Sequence, residues 1–319
     1  MLKRCYLLIL IAFLLAGCTH NRQKMPPPPV QQYSESSRQY RQVPQFSQVD
    51  AEGRININLH TGYKQPQVIL RGDPRDLALV QTHVSGTTLY LIVGKGAPKY
   101  GEINAEVSGQ FLNRLSYKGA GYISGSQLHT SFLELYLANQ GTTSLGGTIG
   151  LQRLEVYGRG MTQISGITSH DLQIRLKGKP KVKLSGFVSL SKLNIDGDGW
   201  LSLYWIKSSN LTIRSKHAAK IQLAGTVNRL DVELWGLSQF KGRYLRAQRS
   251  FVKTHDKSVA EISSVNHQSN LATGASDIYY YNLPNTRADF MANAGSVLDM
   301  RGWGQPDLED FTRYNKQFP

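Results

Sequence analysis

Apolar and polar residues alternate in short runs along most of this chain. Ile55, Ile57 and Leu59 alternate with Asn56 and Asn58; Val68-Ile69-Leu70 follows, then Leu89, Leu91 and Val93. Alternation with period two, bounded by Gly, Asp and Thr, is the pattern of strands buried on one face. One break in it is helical. Asp73-Pro74 reads as an N-cap followed by proline at the first helical position, with Leu77, Leu79 and Val80 behind it.

The strands recur. Leu115, Leu133, Leu154, Leu172, Leu193, Leu211, Leu230, Phe251 and Leu271 are separated by 18 to 21 residues. In most units the second residue after this anchor is also apolar, from Tyr117 and Leu135 to Ile213 and Val232. About ten residues on, a second apolar strand appears and often ends in glycine, as in Ile123-Ser-Gly125, Ile164-Ser-Gly166, Leu184-Ser-Gly186 and Leu223-Ala-Gly225. Each unit reads strand, turn, strand, turn, and is too small to close a core alone. Stacked as coils about 4.8 Å apart, the units share one. The expected fold is all-β, a right-handed parallel β-helix or β-prism solenoid with coils of about 20 residues. The competing architecture is an antiparallel sandwich, which needs no equivalence between units one coil apart.

Stacking the anchors fixes what lies outside. If each anchor points inward, its third and fifth successors point outward. Asp196 is then expected between Arg175 and Arg214, and Asp198 between Lys177 and Lys216, as vertical ladders of opposite charge. Each exposed pair contributes only about 0–1 kcal/mol. Their better use is against register slips, because a slip of one residue turns apolar side chains outward.

The amino terminus has a different texture. Lys3-Arg4 precedes an apolar run from Tyr6 to Leu15, then Ala16-Gly17-Cys18. A basic segment, a short apolar segment and small residues before a cut make a signal peptide over residues 1–17. Cysteine directly after Leu-Ala-Gly resembles the bacterial lipobox. That resemblance implies a diacylglyceryl and acyl (palmitate-type) anchor on Cys18 and a mature chain starting there. Thr19 in place of Asp points, by the same resemblance, to the outer membrane. The alternative is a secreted protein whose cysteine is incidental. Residues 18–46, with Pro26-Pro27-Pro28-Pro29 and many Gln and Ser, read as a proline-rich, disordered tether. Residues 47–275 form the solenoid, 276–303 a terminal coil and cap, and 304–319 a polar tail.

Composition narrows the chemistry. The only cysteines are Cys5 and Cys18, so no disulfide, thiolate metal site or cysteine nucleophile remains. The formal charge is +15; losing Lys3 and Arg4, with no acid in residues 1–17, leaves +13. A basic exported surface expects anionic partners, such as lipopolysaccharide phosphates or acidic polysaccharide. An envelope protein is the alternative partner, and nucleic acid is not expected.

The repeating Ile-Ser-Gly and Leu-Ser-Gly endings, spaced by one coil, resemble the head GIN domain of autotransporter adhesins. So does the opening, with a first strand Arg54-Ile-Asn-Ile-Asn-Leu59, a polar excursion, and a closing strand Thr88-Leu-Tyr-Leu-Ile-Val93. The likeness covers about residues 47 to 275. This sequence departs from the pattern in its sparse Gly-Ser-Gly repeats and in bulky stretches such as Trp200-Leu-Ser-Leu-Tyr-Trp205. The resemblance implies an adhesin-like role and supplies no catalytic residues.

Three sets of side chains are candidates for chemistry. His170 and His267 fall five coils apart, and His217 and His255 at different offsets, so no metal set and no cofactor is expected. Asp196 and Asp198, among Arg175, Lys177, Arg214 and Lys216, are the best carboxylate cluster. With Lys177 and Lys216 as bases they would suit a polysaccharide lyase or hydrolase. Their basic neighbours, however, favour full ionisation over general-acid work. Trp200, Tyr204 and Trp235 supply aromatic platforms. Alternation with Leu201 and Leu203 puts Trp200 and Tyr204 outward and Trp205 inward. Together these features point to a non-catalytic, lipid-anchored envelope protein, periplasmic or surface-facing. It binds anionic glycan through Trp200, Tyr204, Trp235, Arg159, Arg175, Lys177, Arg214 and Lys216. A polysaccharide-active enzyme is the alternative.

Overall fold

A computed structural model describes residues 37–282 and 285–300. The signal peptide, Cys18, most of the tether and the polar tail lie outside them.

The amino-terminal part is a small mixed cap. It comprises β1 (Ser37–Gln42), β2 (Gln48–Gly53), β3 (Asn56–His60), β4 (Gln67–Gly72), α1 (Pro74–Leu77), β5 (Val80–Ser85), β6 (Thr88–Val93), β7 (Asn104–Ser108) and β8 (Arg114–Gly119). β1 and β7 pair antiparallel with β4, and β5 and β6 form an antiparallel hairpin. Ser37–Gln42 falls within residues 18–46, which the composition predicts to be a disordered tether. It is a strand because its main chain completes the edge of β4, and Phe46 just after it is buried. α1 starts as its sequence dictates: the Asp73 carboxylate caps the Arg75 N–H at 2.9 Å and Pro74 opens the helix.

Then the chain winds. β9 (Ile123–Asn139), β10 (Thr142–Gly158), β11 (Met161–Gly178), β12 (Lys181–Gly197), β13 (Trp200–Lys216), β14 (Lys220–Leu234), β15 (Gln239–Thr254) and β16 (Val259–Thr273) are successive coils, each parallel to the next. β17 (Asp277–Tyr280), β18 (Arg287–Asn293) and β19 (Ser296–Asp299) continue the stack. Where two separate strands per unit were expected, each coil is one long bent strand and one turn. In most coils register shifts divide that strand into three arms. Glycine makes the bends possible. Gly186 and Gly225 have φ of 146° and 137°, and a Cβ there would collide with the Ile167 and Ile206 carbonyl oxygens of the neighbouring coil.

The anchors from Leu115 to Leu230 point inward but do not form one column, whereas Phe251 and Leu271 fall in outward rows, in register with Asp231 and Lys253, and their neighbours Val252 and Ala272 are the buried residues. Leu115, Leu135, Leu154, Ile174, Leu193, Ile213, Val232 and Val252 stack in register. Leu172 stacks on Leu190, and Leu211 on Leu230, in an adjacent column. The expected alignment therefore slips by two residues at Leu133, Leu172, Leu211 and Leu230, and by one at Phe251 and Leu271. Residues i and i+2 are both apolar and inward, so alternation cannot distinguish them. The interior changes character towards the carboxyl end. The Leu211–Leu230 column continues into Ser250 and Gln268, and the Val252 column into Asn270, all buried.

Candidate functional site

The last arms of the coils carry the charge ladder, two residues out of the expected phase. Asp196 stands between Lys177 and Lys216. Arg175 faces Glu155 on one side and Asn194 on the other. Arg214 pairs at 3.1 Å with both Asp231 and Glu233. Glu134, Arg153 and Glu155 extend the network at 3.7 and 3.8 Å. Much of the positive charge on this face is thus balanced by neighbouring coils.

Asp196 and Asp198 do not form a joint site. Asp196 Oδ1 lies 3.2 Å from His217 Nδ1, whereas Asp198 lies in the turn and pairs with Lys179 at 2.8 Å. The hydrogen bond from Lys179 holds the Asp198 carboxyl below the usual carboxylate range. An acid held ionised in this way is ill-suited to donate a proton to a leaving group. Two of the histidines are also occupied: His267 meets Asp289 at 2.8 Å, and His255 Nδ1 meets Thr273 Oγ1 at 2.8 Å.

The proposed binding residues are dispersed. Arg175, Lys177, Arg214 and Lys216 sit on the last-arm face. Arg159 and Trp235 lie at the turns, where Trp235 stacks on His255 with ring centroids 3.8 Å apart. Trp200 lies on the first-arm face. Tyr204 is buried and Trp205 exposed, the reverse of the expected orientation. The cause is the bend after Leu203, where the register shifts and Trp205 takes a φ of 63°. Strict alternation does not survive a corner. Trp205 there contacts the exposed Phe187 ring, at 5.9 Å between centroids.

The first-arm face gathers what the sequence reading left scattered. Lys181, Trp200, Lys220 and Gln239 occupy successive coils of one outward row. Lys183, Ser202, Gln222 and Lys241 occupy the row beside it. Trp200, Lys220, Gln222, Gln239 and Lys241 surround a shallow depression of about 130 Å³ floored by Ile221. Lys181, Lys183 and Lys220 make no ion pair within 4 Å among the described residues. Towards the carboxyl end acid returns at Glu261, in register with Lys241; burial raises its carboxyl pKa against the pull of Lys241 and Arg243. The lysines were legible in Lys181-Val-Lys183-Leu and Lys220-Ile-Gln-Leu. They alternate with core residues and share an offset with Trp200.

The family whose profile matches is described as "Putative auto-transporter adhesin, head GIN domain", over residues 45–191 and 182–284. The chain belongs to this family. Among solved structures the chain is similar, at low identity, to two from one organism. A protein titled "putative adhesin" from Parabacteroides distasonis is 13% identical with a TM-score of 0.50, covering 83% of this chain and 97% of its own. A "Putative lipid binding protein" from the same organism is 14% identical at a TM-score of 0.46, covering 82% and 96%. No curated protein matches significantly.

Proposed function

We propose that this GIN-domain protein is a non-catalytic, lipid-anchored envelope protein that binds an anionic glycan along its first-arm face. The observation that carries the reading is Trp200 standing between Lys181 and Lys220, one coil away on either side. An indole ring offers an apolar platform for the C–H face of a sugar, and flanking ammonium groups attract phosphate or carboxylate substituents. The lysines are unbalanced by acid, whereas those of the last-arm face are laddered with carboxylates. Phosphorylated sugars of lipopolysaccharide and uronate-containing polysaccharides both fit this chemistry. The family's adhesin description and a fold without an evident general acid in the Asp196/Asp198 pair favour binding over turnover. Anchoring through Cys18 and outer-membrane placement rest on the sequence around Leu15 to Thr19.

The test is direct binding of the full chain to lipopolysaccharide and to immobilised uronate glycans. Lys181→Glu with Lys220→Glu should weaken binding by about tenfold or more, the scale of two reversed contacts. Asp196→Asn with Asp198→Asn should leave it nearly intact. Binding indifferent to the lysine reversals would remove this assignment. Polysaccharide cleavage abolished by the paired Asn substitutions would favour the enzyme alternative. Cys18→Ala should move the protein out of the membrane fraction.

A further inference from the structure

The first-arm face continues towards the amino terminus, past β9 and onto the cap. There β9, β3, β7 and β4 lie side by side. Their outward residues form two rows across the strands. One runs Tyr122, Asn56, Asn104, Arg71; the other runs Ser124, Asn58, Glu106. Between them is a cleft of about 300 Å³ floored by Ile57 and Ala105. That volume lies at the lower end of small-ligand sites and exceeds what one sugar ring needs.

We propose that this cleft is a subsite for an uncharged pyranose, at one end of the same glycan-binding face. The inference rests on the reading that this face binds glycan, but on different residues. Its polar groups are fixed beforehand. Asn56 donates to Glu102 Oε2 and Asn104 Oδ1, both at 3.0 Å, and accepts from the Tyr122 N–H at 2.9 Å. Asn58 accepts from Ser124 Oγ at 3.0 Å. Arg71 and Glu106 pair at 3.1 Å. With their carbonyl oxygens engaged, Asn58 and Asn104 keep Nδ2 groups that donate to nothing among the described residues.

Adjacent sugar hydroxyls both donate and accept. Amide N–H donors beside a carboxylate and a guanidinium match that mixture. Tyr122 is 47% exposed and presents a ring for the apolar face of the sugar. Charge sets this cleft apart from the lysine patch. Arg71 and Glu106 cancel, and Glu102 beside Asn56 disfavours an anion. Tyr122 is four coils from Trp200, about 19 Å at about 4.8 Å per coil. A glycan lying along the column could place a neutral unit here and a charged unit at Trp200.

The test uses the full chain and three neutral probes: the methyl glycosides of glucose, galactose and N-acetylglucosamine. Saturation-transfer NMR should show at least one binding. Tyr122→Ala should weaken it about tenfold, the scale of a lost stacking contact. Asn104→Ala is the second variant, each checked for folding by circular dichroism. Lys181→Glu with Lys220→Glu should leave the neutral sugar bound, so a failed lysine patch and a failed cleft give different results. Transfer to none of the probes, transfer unaffected by both cleft variants, or preference of the cleft for glucuronate over methyl glucoside would each overturn the proposal.

Discussion

Lys181 and Trp200 stand in register on adjacent coils, with the lysine fully outward and the indole half-buried beside it. Their contributions to glycan binding differ physically and can be separated by salt. Attraction between exposed charges is screened over about 10 Å at 0.1 M ionic strength, while ring stacking is barely affected. Trp200→Ala should therefore weaken binding by a similar factor, roughly tenfold, at low and high salt. Lys181→Glu should weaken it most at low salt and flatten the salt dependence. Affinity titrations at several ionic strengths check both; a Trp200→Ala effect that vanishes at high salt would show that the ring does not stack on the ligand.

Tyr117 should make stability sensitive to alkali. Its ring is buried at the junction of cap and coils. Its hydroxyl lies 3.0 and 3.1 Å from the Gly53 and Ile55 carbonyl oxygens and accepts from the Gly121 N–H at 2.7 Å. Burial raises its pKa above the ordinary tyrosine value. The folded state thus holds this proton more tightly than the unfolded chain. The associated stability is fully present below about pH 10 and declines as pH rises through the unfolded value towards the folded one. Tyr117→Phe should cost about 1–3 kcal/mol at neutral pH, because Gly121 loses its acceptor. The gap to the parent should narrow above about pH 10. Urea unfolding across that range measures it, and a gap that widens with pH would contradict the assignment.

The polar interior near the carboxyl end should be a weak point. Gln268 and Asn270 are buried, and among the described residues neither amide nitrogen nor oxygen of either has a hydrogen-bond partner. An unpaired buried amide costs about 1–3 kcal/mol. Gln268→Leu and Asn270→Leu should therefore each raise the thermal midpoint, since the columns beneath them are built from Leu230 and Val252. A lower midpoint in both variants would indicate that water enters this part of the core and satisfies the amides.

The sequence by itself determined the stack. Leucines returning every 18 to 21 residues with apolar partners two places on leave little alternative to coils sharing one core. It also placed the helix start at Asp73-Pro74 and disclosed the family through its repeated Ser-Gly endings. Tertiary structure decided the phase. Because i and i+2 both point inward, Leu154 lies over Ile174 rather than Leu172, and the carboxylates meet different basic residues from those expected: Asp196 meets Lys177 and Lys216 in place of Arg175 and Arg214. It decided the corners as well, where a register shift puts Tyr204 inside and Trp205 outside. Alternation reports which side of a strand a residue occupies, but which strand lies alongside depends on bend and turn lengths. That is why Lys181, Trp200 and Lys220, about 20 residues apart in sequence, became neighbours only when the chain was wound.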